Sequence, residues 1–300
     1  MTRTRAFRPW ALLALLTLLA LPVRAQDTLT LTGSIALGNL MAAWVQAYDL
    51  TAPPVPVAIA TPGSAAGIRA LLQGTADLAL LGEPLPDEAR RRFEARRGHP
   101  PQVVPVAMDG VAVFVNALNP LRRITLPQLD AAYSATRRCG APRPVRRWQD
   151  LGVDGSLAPA PVTAAGLNDA TGAHRLFRRI ALCGGDFRPD FVALTGPAEV
   201  AALVSRDETA LAFAGSALRH PDLRPLAIAR KDGGPAVLPT EAAIQTRRYP
   251  LARTLAIAFD APPGSPPPPA IRAFLDYLRS PAGQAVARRA GYVPLPADPR

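Results

Sequence analysis

The order of apolar and polar positions from residue 28 onward alternates between short runs typical of strands and segments with helical spacing. The first three β-like runs are 28–33, 55–61 and 76–81. Helical spacing of apolar residues predicts helices at 39–49 and 65–73, and a charged helix starts at Pro86. Because strands and helices alternate along the chain, we predict an α/β fold in which helices cover a parallel sheet.

Two long apolar stretches, 102–116 and 251–260, stand apart from this alternation. We predict that both cross between two lobes, with Asp109-Gly110 as a pivot in the first. Lobe I is then 26–110 plus 256–300, and lobe II is 111–255. In such a hinged fold a ligand binds in the cleft between the lobes. The remaining predicted elements are helices at 126–134, 171–183 and 197–205, strands at 161–167 and 210–214, a stiff Pro-rich connector at 262–269, and a final helical region with Ile271, Phe274, Leu275 and Leu278 on one face.

The first 25 residues have the three zones of a secretory signal peptide. Arg3, Arg5 and Arg8 come first, an apolar run follows, and Val23-Arg24-Ala25 ends the segment. The alternative is a membrane anchor, but the run is shorter than the roughly 20 apolar residues that a spanning helix needs. We therefore expect export to the periplasm with cleavage after Ala25, and no lipid anchor because no cysteine lies near the cut.

Composition narrows the classes of function. The formal net charge is +11, and four of the arginines lie in the predicted signal peptide, so the exported chain carries about +7 (11 − 4). No aromatic residues alternate with the basic ones in the way that nucleic-acid binders require, so we expect no nucleic-acid partner. Scattered histidines predict no metal site, and no motif of a hydrolase, P-loop or dinucleotide enzyme is present, so neither a cofactor nor catalysis is expected. Cys139 and Cys183 are the only cysteines, and they are either a disulfide or two separate buried thiols.

Two predicted helix starts, one in each lobe, suit an anion. Gly63-Ser64 precedes the helix at 65–73, which makes Ser64 a candidate N-cap, and Asn168 through Thr171-Gly172 precedes the helix that begins near Ala173. Free N–H groups and the dipole at a helix start favour negative charge. The alternative is that these residues only cap their helices.

The order of several segments resembles the periplasmic phosphate-binding proteins that serve ABC transporters, over residues 28 to 296. The segments that carry the resemblance are Gly33-Ser34 with Trp44 and Tyr48, Gly63-Ser64 with Gly67, Gly74 through Pro84-Leu85, Gly166-x-Asn168 with Thr171-Gly172, Leu182 through Phe187, Tyr249-Pro250-Leu251 and Gly291 through Leu295.

The resemblance implies a two-lobed periplasmic-binding-protein fold (type II-like), an inner-membrane ABC permease as partner, a monomer, and a small anion, phosphate or a related one, held in the cleft. Carried over by position, the ligand-binding residues are Ser34, Ala36, Gly63, Ser64, Gly82, Asn168, Thr171 and Gly172. The chain departs from the family pattern at Ala36, Gly82 and Ala173, where polar side chains are usual, and at Leu167, where the family has an arginine.

These departures leave two hypotheses. The first is an exported solute-binding protein that captures a small anion. The alternative is a degenerate sensory or protein-interaction module that does not bind phosphate. Arg69 and Arg175 are candidates to replace the missing arginine, with solvation at the surface as the alternative for both, and His174 is a candidate for a pH-dependent contact with the anion.

Overall fold

The computed structural model describes residues 28–49 and 56–296, so the predicted signal peptide lies outside the described residues. Within the described residues, no helix is both long enough and apolar enough to cross a bilayer. The strands are β1 (Leu29–Gly33), β2 (Val57–Ala60), β3 (Leu78–Leu81), β4 (Gln102–Asn116), β5 (Arg123–Thr125), β6 (Thr163–Leu167), β7 (Val192–Leu194), β8 (Ala210–Gly215), β9 (Leu223–Pro225), β10 (Ala227–Ala229), β11 (Ala236–Val237) and β12 (Ala252–Phe259).

Helices lie between most of these strands, as the alternating pattern predicts. They are α1 (Ile35–Tyr48), α2 (Ser64–Gln73), α3 (Asp87–Arg97), α4 (Leu126–Tyr133), α5 (Gly172–Ala181), α6 (Pro197–Arg206), α7 (Glu241–Gln245), α8 (Pro269–Arg279) and α9 (Pro281–Arg289). The first helix begins four residues before the predicted 39, because the Ser34 hydroxyl accepts from the Ala36 N–H and caps it there.

The strands form one long sheet in the order β2-β1-β3-β12-β4-β8-β6-β7, and β9 pairs with β4. In the first half β1 lies parallel between β2 and β3, and in the second half β6 lies parallel between β7 and β8. The mixed α/β class is therefore confirmed. A separate small sheet has the order β11-β10-β5, and its short strands were not predicted.

Strands β4 and β12 connect the two halves of the sheet, as the two long apolar stretches predict. They pair antiparallel with each other from Ala252 opposite Gly110 to Phe259 opposite Gln102. The first half of β4 pairs with β12, which in turn pairs with β3. The second half of β4 pairs with β8. A third connection lies at the C-terminal end, where Met108 and Val293 exchange backbone hydrogen bonds of 2.8 and 2.9 Å.

Each half of the sheet has its own apolar core. Trp44, Phe259 and Phe274 are among the large side chains of the first core, and Trp148 and Phe213 are among those of the second. Each of these side chains is almost fully buried, which contributes roughly 1.5–3 kcal/mol per side chain before entropy is counted. The first half has a further small cluster around Leu71, Leu81 and Phe93. Two halves that are packed separately and joined by two strands make a hinged pair of lobes. The lobe boundaries at 110/111 and 255/256 remain a prediction.

The two cysteines form a disulfide, which decides between the alternatives of the sequence analysis. Cys139 lies in the loop that follows α4, and Cys183 lies just after the end of α5, with their Cα atoms 5.3 Å apart. The bond therefore ties an irregular Arg- and Pro-rich loop to the core of the second lobe.

Candidate functional site

A buried pair of opposite charges lies where the two crossing strands pass between the lobes. Arg253 of β12 is opposite Asp109 of β4 in the strand register. The guanidinium donates from Nε at 3.0 Å and from Nη2 at 2.6 Å to the same carboxylate oxygen. The Arg253 side chain is 6% exposed and that of Asp109 is 14% exposed. A fixed cation is thus held at the floor of the interlobe cleft.

The starts of α1 and α5 meet beside this pair, one from each lobe. Thr171 caps α5 by accepting from the His174 N–H at 3.2 Å. A Cβ added to Gly172 would lie 2.5 Å from the Ala36 Cβ and 2.8 Å from Nη2 of Arg253. Because glycine has no side chain, the two helix starts and the guanidinium come together at this point. The N–H groups at the starts of both helices, which have no partner within their own helices, therefore lie near the cation.

Tyr292 completes the floor of the cleft. Its hydroxyl donates to the Ala36 carbonyl at 2.8 Å, which links the C-terminal segment to the start of α1. Burial raises the pKa of Tyr292 well above its usual value, the negative charge of Asp109 raises it further, and Arg253 opposes the change. The ring therefore stays neutral and the hydroxyl stays a donor.

The cleft itself has a volume of about 780 Å³. Three of the residues predicted to bind the ligand line it, namely Ala36, Thr171 and Gly172. Leu167, at the position where the resemblance places an arginine, also lines it and is largely buried. The buried cation of the cleft therefore comes from a hinge strand and not from the strand that precedes α5, and the exposed Arg219 lines the cleft as well.

The other predicted binding residues lie outside the lining of the cleft. The expectation that Ser64 is an N-cap is wrong, because Gly63 occupies the cap position and the Ser64 hydroxyl accepts from the Gly82 N–H at 3.1 Å. A Cβ at Gly82 would lie 2.3 Å from the Ser34 hydroxyl, so a side chain does not fit there. Asn168 precedes α5, and its Oδ1 is buried without a hydrogen bond from any described group.

Arg69 and Arg175, the candidates to replace the missing arginine, do not line the cleft, and neither does His174, the candidate for a pH-dependent contact. Arg69 and Arg175 are exposed, and Arg175 donates to the Asp169 carbonyl at 3.2 Å. The Nδ1 of His174 donates to the Leu167 carbonyl at 2.9 Å, and the ring centre lies 4.4 Å from that of Phe187. The ring therefore packs in an aromatic cluster and does not line the anion site, and its burial lowers the pKa of His174.

A larger cavity of about 1050 Å³ lies on the opposite face of the crossing strands. Met108 and Thr254 line it, and they point away from Asp109 and Arg253 because successive side chains of a strand alternate between faces. Its charged groups are exposed, and the Arg288–Glu241 pair among them is at 2.8 Å. The buried cation and the meeting helix starts therefore distinguish the smaller cleft as the candidate site. In residues 28–49 and 56–296 no group of three or more His, Cys, Asp or Glu side chains is placed to hold a metal ion.

Sequence reasoning missed Arg253 as a site residue and assigned Asp109 only to a pivot. The sequence does contain a signal for this pair. Both crossing stretches are largely apolar, yet the first carries Asp109 near its middle and the second carries Arg253 near its start. Charged residues inside buried strands are usually paired. Two such strands that pair antiparallel would bring those charges opposite each other.

Comparison with known proteins places this geometry in a family. The model of a PBP superfamily domain matches residues 22–282. The chain is 36% identical over 269 residues to the phosphate-binding protein PstS of Pseudomonas aeruginosa. The matched region covers 90% of this chain and 83% of that protein. It is 25% identical over 272 residues to the protein SphX of Synechococcus elongatus, covering 89% and 77% of the two chains.

Solved structures agree on the fold. An ABC-type phosphate transport receptor from Vibrio cholerae superposes with a TM-score of 0.70 at 20% identity, over 88% of this chain and 99% of the other. PstS from Borrelia burgdorferi superposes with a TM-score of 0.68 at 17% identity, over 90% and 99%. At these identities the likeness confirms the predicted two-lobed binding-protein fold.

Proposed function

This chain belongs to the PBP superfamily and to the phosphate-binding proteins within it, and from that premise we propose that it is an exported solute-binding protein that captures phosphate in its interlobe cleft for an ABC transporter. The observation that carries the proposal is the convergence of Arg253 with the starts of α1 and α5 on one cleft. The relatives are receptors, so the proposed role is binding without catalysis.

The chemistry of the cleft suits an oxyanion that keeps one proton. Arg253 uses two of its five N–H donors on Asp109, which leaves three to donate to phosphate oxygens. The N–H groups of Gly172 and Ala173 lie in the first turn of α5, where the helix dipole also favours an anion. The second carboxylate oxygen of Asp109 is an acceptor for the phosphate proton. Sulfate has no such proton at neutral pH, so we expect weaker binding of sulfate.

Closure of the lobes would exclude water from the bound anion. On the same side of the hinge as the cleft, Arg179 of α5 lies 3.8 Å from Glu83 of the other lobe. This exposed pair and the close approach of Gly172 to Ala36 are contacts between the proposed lobes. We propose that the lobes 26–110 plus 256–300 and 111–255 rotate about β4 and β12 to admit and release the ligand. The closed monomer would then be the form that an inner-membrane permease accepts.

Export rests on the three zones of residues 1–25. Mass spectrometry of the protein isolated from the periplasm of an expressing bacterium would test the cleavage site. We expect an N-terminus at Gln26. Retention of the first 25 residues, with the protein in the membrane fraction, would support an anchor instead.

Thermal denaturation and calorimetric titration of the exported form with phosphate and with sulfate would test the binding function. A ligand that binds only the native state raises the melting temperature as its concentration rises. We expect such a rise with phosphate and a smaller one with sulfate. An unchanged melting temperature at millimolar phosphate, with no heat of binding, would contradict the proposal.

A variant with an added charge makes the test specific for the cleft. Ala173→Asp places a carboxylate at the second residue of α5, where an acidic residue favours the helix but repels an anion. We expect loss of phosphate binding with little change in the melting temperature of the free protein. The matched control is Ala270→Asp, an exposed second residue of α8, which should bind phosphate as the unmodified protein does.

A further inference from the structure

Among the described residues that line the candidate cleft, the charged side chains do not balance. They are two arginines, Arg253 and Arg219, and one aspartate, Asp109. Arg253 and Asp109 pair at 2.6 Å, so their formal charges cancel. In the described part of the chain no carboxylate pairs with the guanidinium of Arg219, which donates only to main-chain carbonyls. The net positive charge of the lining therefore comes from Arg219.

A turn after β8 holds Arg219 in place. The Ser216 N–H donates to the Gly110 carbonyl of β4 at 2.8 Å, which fixes the turn against a hinge strand. Nη1 of Arg219 donates to the carbonyls of Ser216 at 2.6 Å and Leu218 at 2.9 Å. These two bonds use two of the five N–H donors of the guanidinium. The donors on Nε and Nη2 are left for an anion.

The turn that carries Arg219 lies beside a segment of the other proposed lobe. A Cβ added to Gly291 would lie 3.3 Å from the Ala217 Cβ. Gly291 and Tyr292 also line the cleft, and the Tyr292 hydroxyl donates to the Ala36 carbonyl at the start of α1. Closure of the lobes would exclude water beside Arg219. The attraction between opposite charges is stronger where water is excluded, so closure would strengthen a contact between Arg219 and an anion.

We propose that Arg219 binds the captured anion directly and supplies the net positive charge that the neutral Arg253–Asp109 pair does not. Arg253 contributes fixed N–H donors at the floor of the cleft, and Arg219 contributes a free guanidinium edge from the second lobe. Such an edge matches two oxygens of one oxyanion. Because Arg219 is exposed, it also attracts anions before they bind. This inference rests on the proposed function, because it assigns a further residue to the same anion site.

Calorimetric titration of Arg219→Gln with phosphate tests the inference. Losing a hydrogen bond to a charged group typically weakens binding about 10- to 100-fold, and we expect a loss of this size. Arg219→Lys keeps the charge without the planar fork, so its loss should be smaller. The difference between Arg219→Gln and the unmodified protein should narrow as sodium chloride rises from about 20 mM to about 500 mM, because salt screens an exposed charge. The melting temperatures of the free proteins should be nearly equal, since the side chain is exposed.

The matched control is Arg230→Gln. Arg230 is also an exposed arginine of the second lobe, but it does not line the cleft. This variant should bind phosphate as the unmodified protein does at each salt concentration. If Arg219→Gln behaves in the same way, or if Arg219→Lys binds no better than Arg219→Gln, the inference is overturned while the proposed function stands. If the unmodified protein binds no phosphate, both fail.

Discussion

Arg253 and Asp109 face each other across the two strands that join the lobes, with 2.6 Å between the guanidinium and the carboxylate. The pair is almost fully buried, so each charge depends on the other for the interactions that water would otherwise supply. The same pair lies at the floor of the cleft. One contact therefore serves the stability of the hinge and the charge of the proposed anion site, and substitutions can separate the two roles.

Arg253→Gln should unfold more easily than the unmodified protein and should lose phosphate binding. Removing one partner of a buried ion pair leaves an uncompensated charge, which typically costs about 3–5 kcal/mol. Urea denaturation would measure the change in the free energy of unfolding, and calorimetry would measure the affinity for phosphate.

The double variant Arg253→Gln with Asp109→Asn is the control for that experiment. It removes both charges and keeps hydrogen-bonding side chains, so we expect much of the lost stability to return while phosphate binding stays absent. Unchanged phosphate affinity in a folded Arg253→Gln protein would show that the anion binds elsewhere.

Gly172→Ala tests the close contact of the two helix starts. The added Cβ would lie 2.5 Å from the Ala36 Cβ, which is closer than packed carbon atoms approach. The lobes must then separate slightly, so we expect weaker phosphate binding and a larger radius of gyration by small-angle X-ray scattering. Because alanine favours a helix over glycine, α5 itself should be no less stable.

Gly196→Ala is the matched control, since Gly196 also stands at a helix start and a Cβ there meets nothing within 4 Å. It should bind phosphate and scatter as the unmodified protein does. If Gly172→Ala also behaves in this way, the contact between Ala36 and Gly172 does not limit closure.

Much of the fold could be predicted because local patterns carried the information. The alternation of apolar runs with helical segments predicted the α/β class, and the length of 102–116 and 251–260 predicted the two crossing strands. The short strands β5, β10 and β11 escaped prediction, since two or three residues show no periodicity. Their pairing depends on chain segments that are far apart in sequence.

The site was harder to predict because it depends on strand register and on what occupies neighbouring space. Thr171 and Gly172 were found from the sequence of a helix start. Arg253 was missed because its role requires Asp109 to lie opposite it, which no short motif reports. The prediction of Ser64 as a cap was wrong because its hydroxyl accepts from the N–H of Gly82, 18 residues away, and not from an N–H of its own helix.

The state of His174 predicts a pH dependence of stability. Burial lowers its pKa below the usual 6.5, and the hydrogen bond to the Leu167 carbonyl only partly opposes this. Between 6.5 and the lower folded-state pKa, the unfolded chain binds a proton that the folded protein does not, so the free energy of unfolding falls as the pH falls. His174→Gln keeps a donor for the carbonyl and removes the titration. Urea denaturation at about pH 7.5 and about pH 5 should therefore show a smaller loss in the variant.

A direct measurement of the ring separates this effect from other titrating groups. Nuclear magnetic resonance titration of His174 should give a pKa below 6.5. A value at or above 6.5, together with equal pH dependence in His174→Gln, would contradict the assignment of this ring to the buried aromatic cluster.

The disulfide between Cys139 and Cys183 should contribute strongly to the stability of the second lobe. The two residues are 44 positions apart, and closing a loop of that length in the unfolded chain corresponds to about 4 kcal/mol in the chain-entropy model. Replacing both cysteines with serine should therefore lower the free energy of unfolding by roughly 2–4 kcal/mol, measured by urea denaturation.

The bond lies away from the cleft lining, so the folded double variant should still bind phosphate. Adding a reductant should lower the stability of the unmodified protein to that of the variant and leave the variant unchanged. Equal stability of the two proteins without reductant would contradict this account.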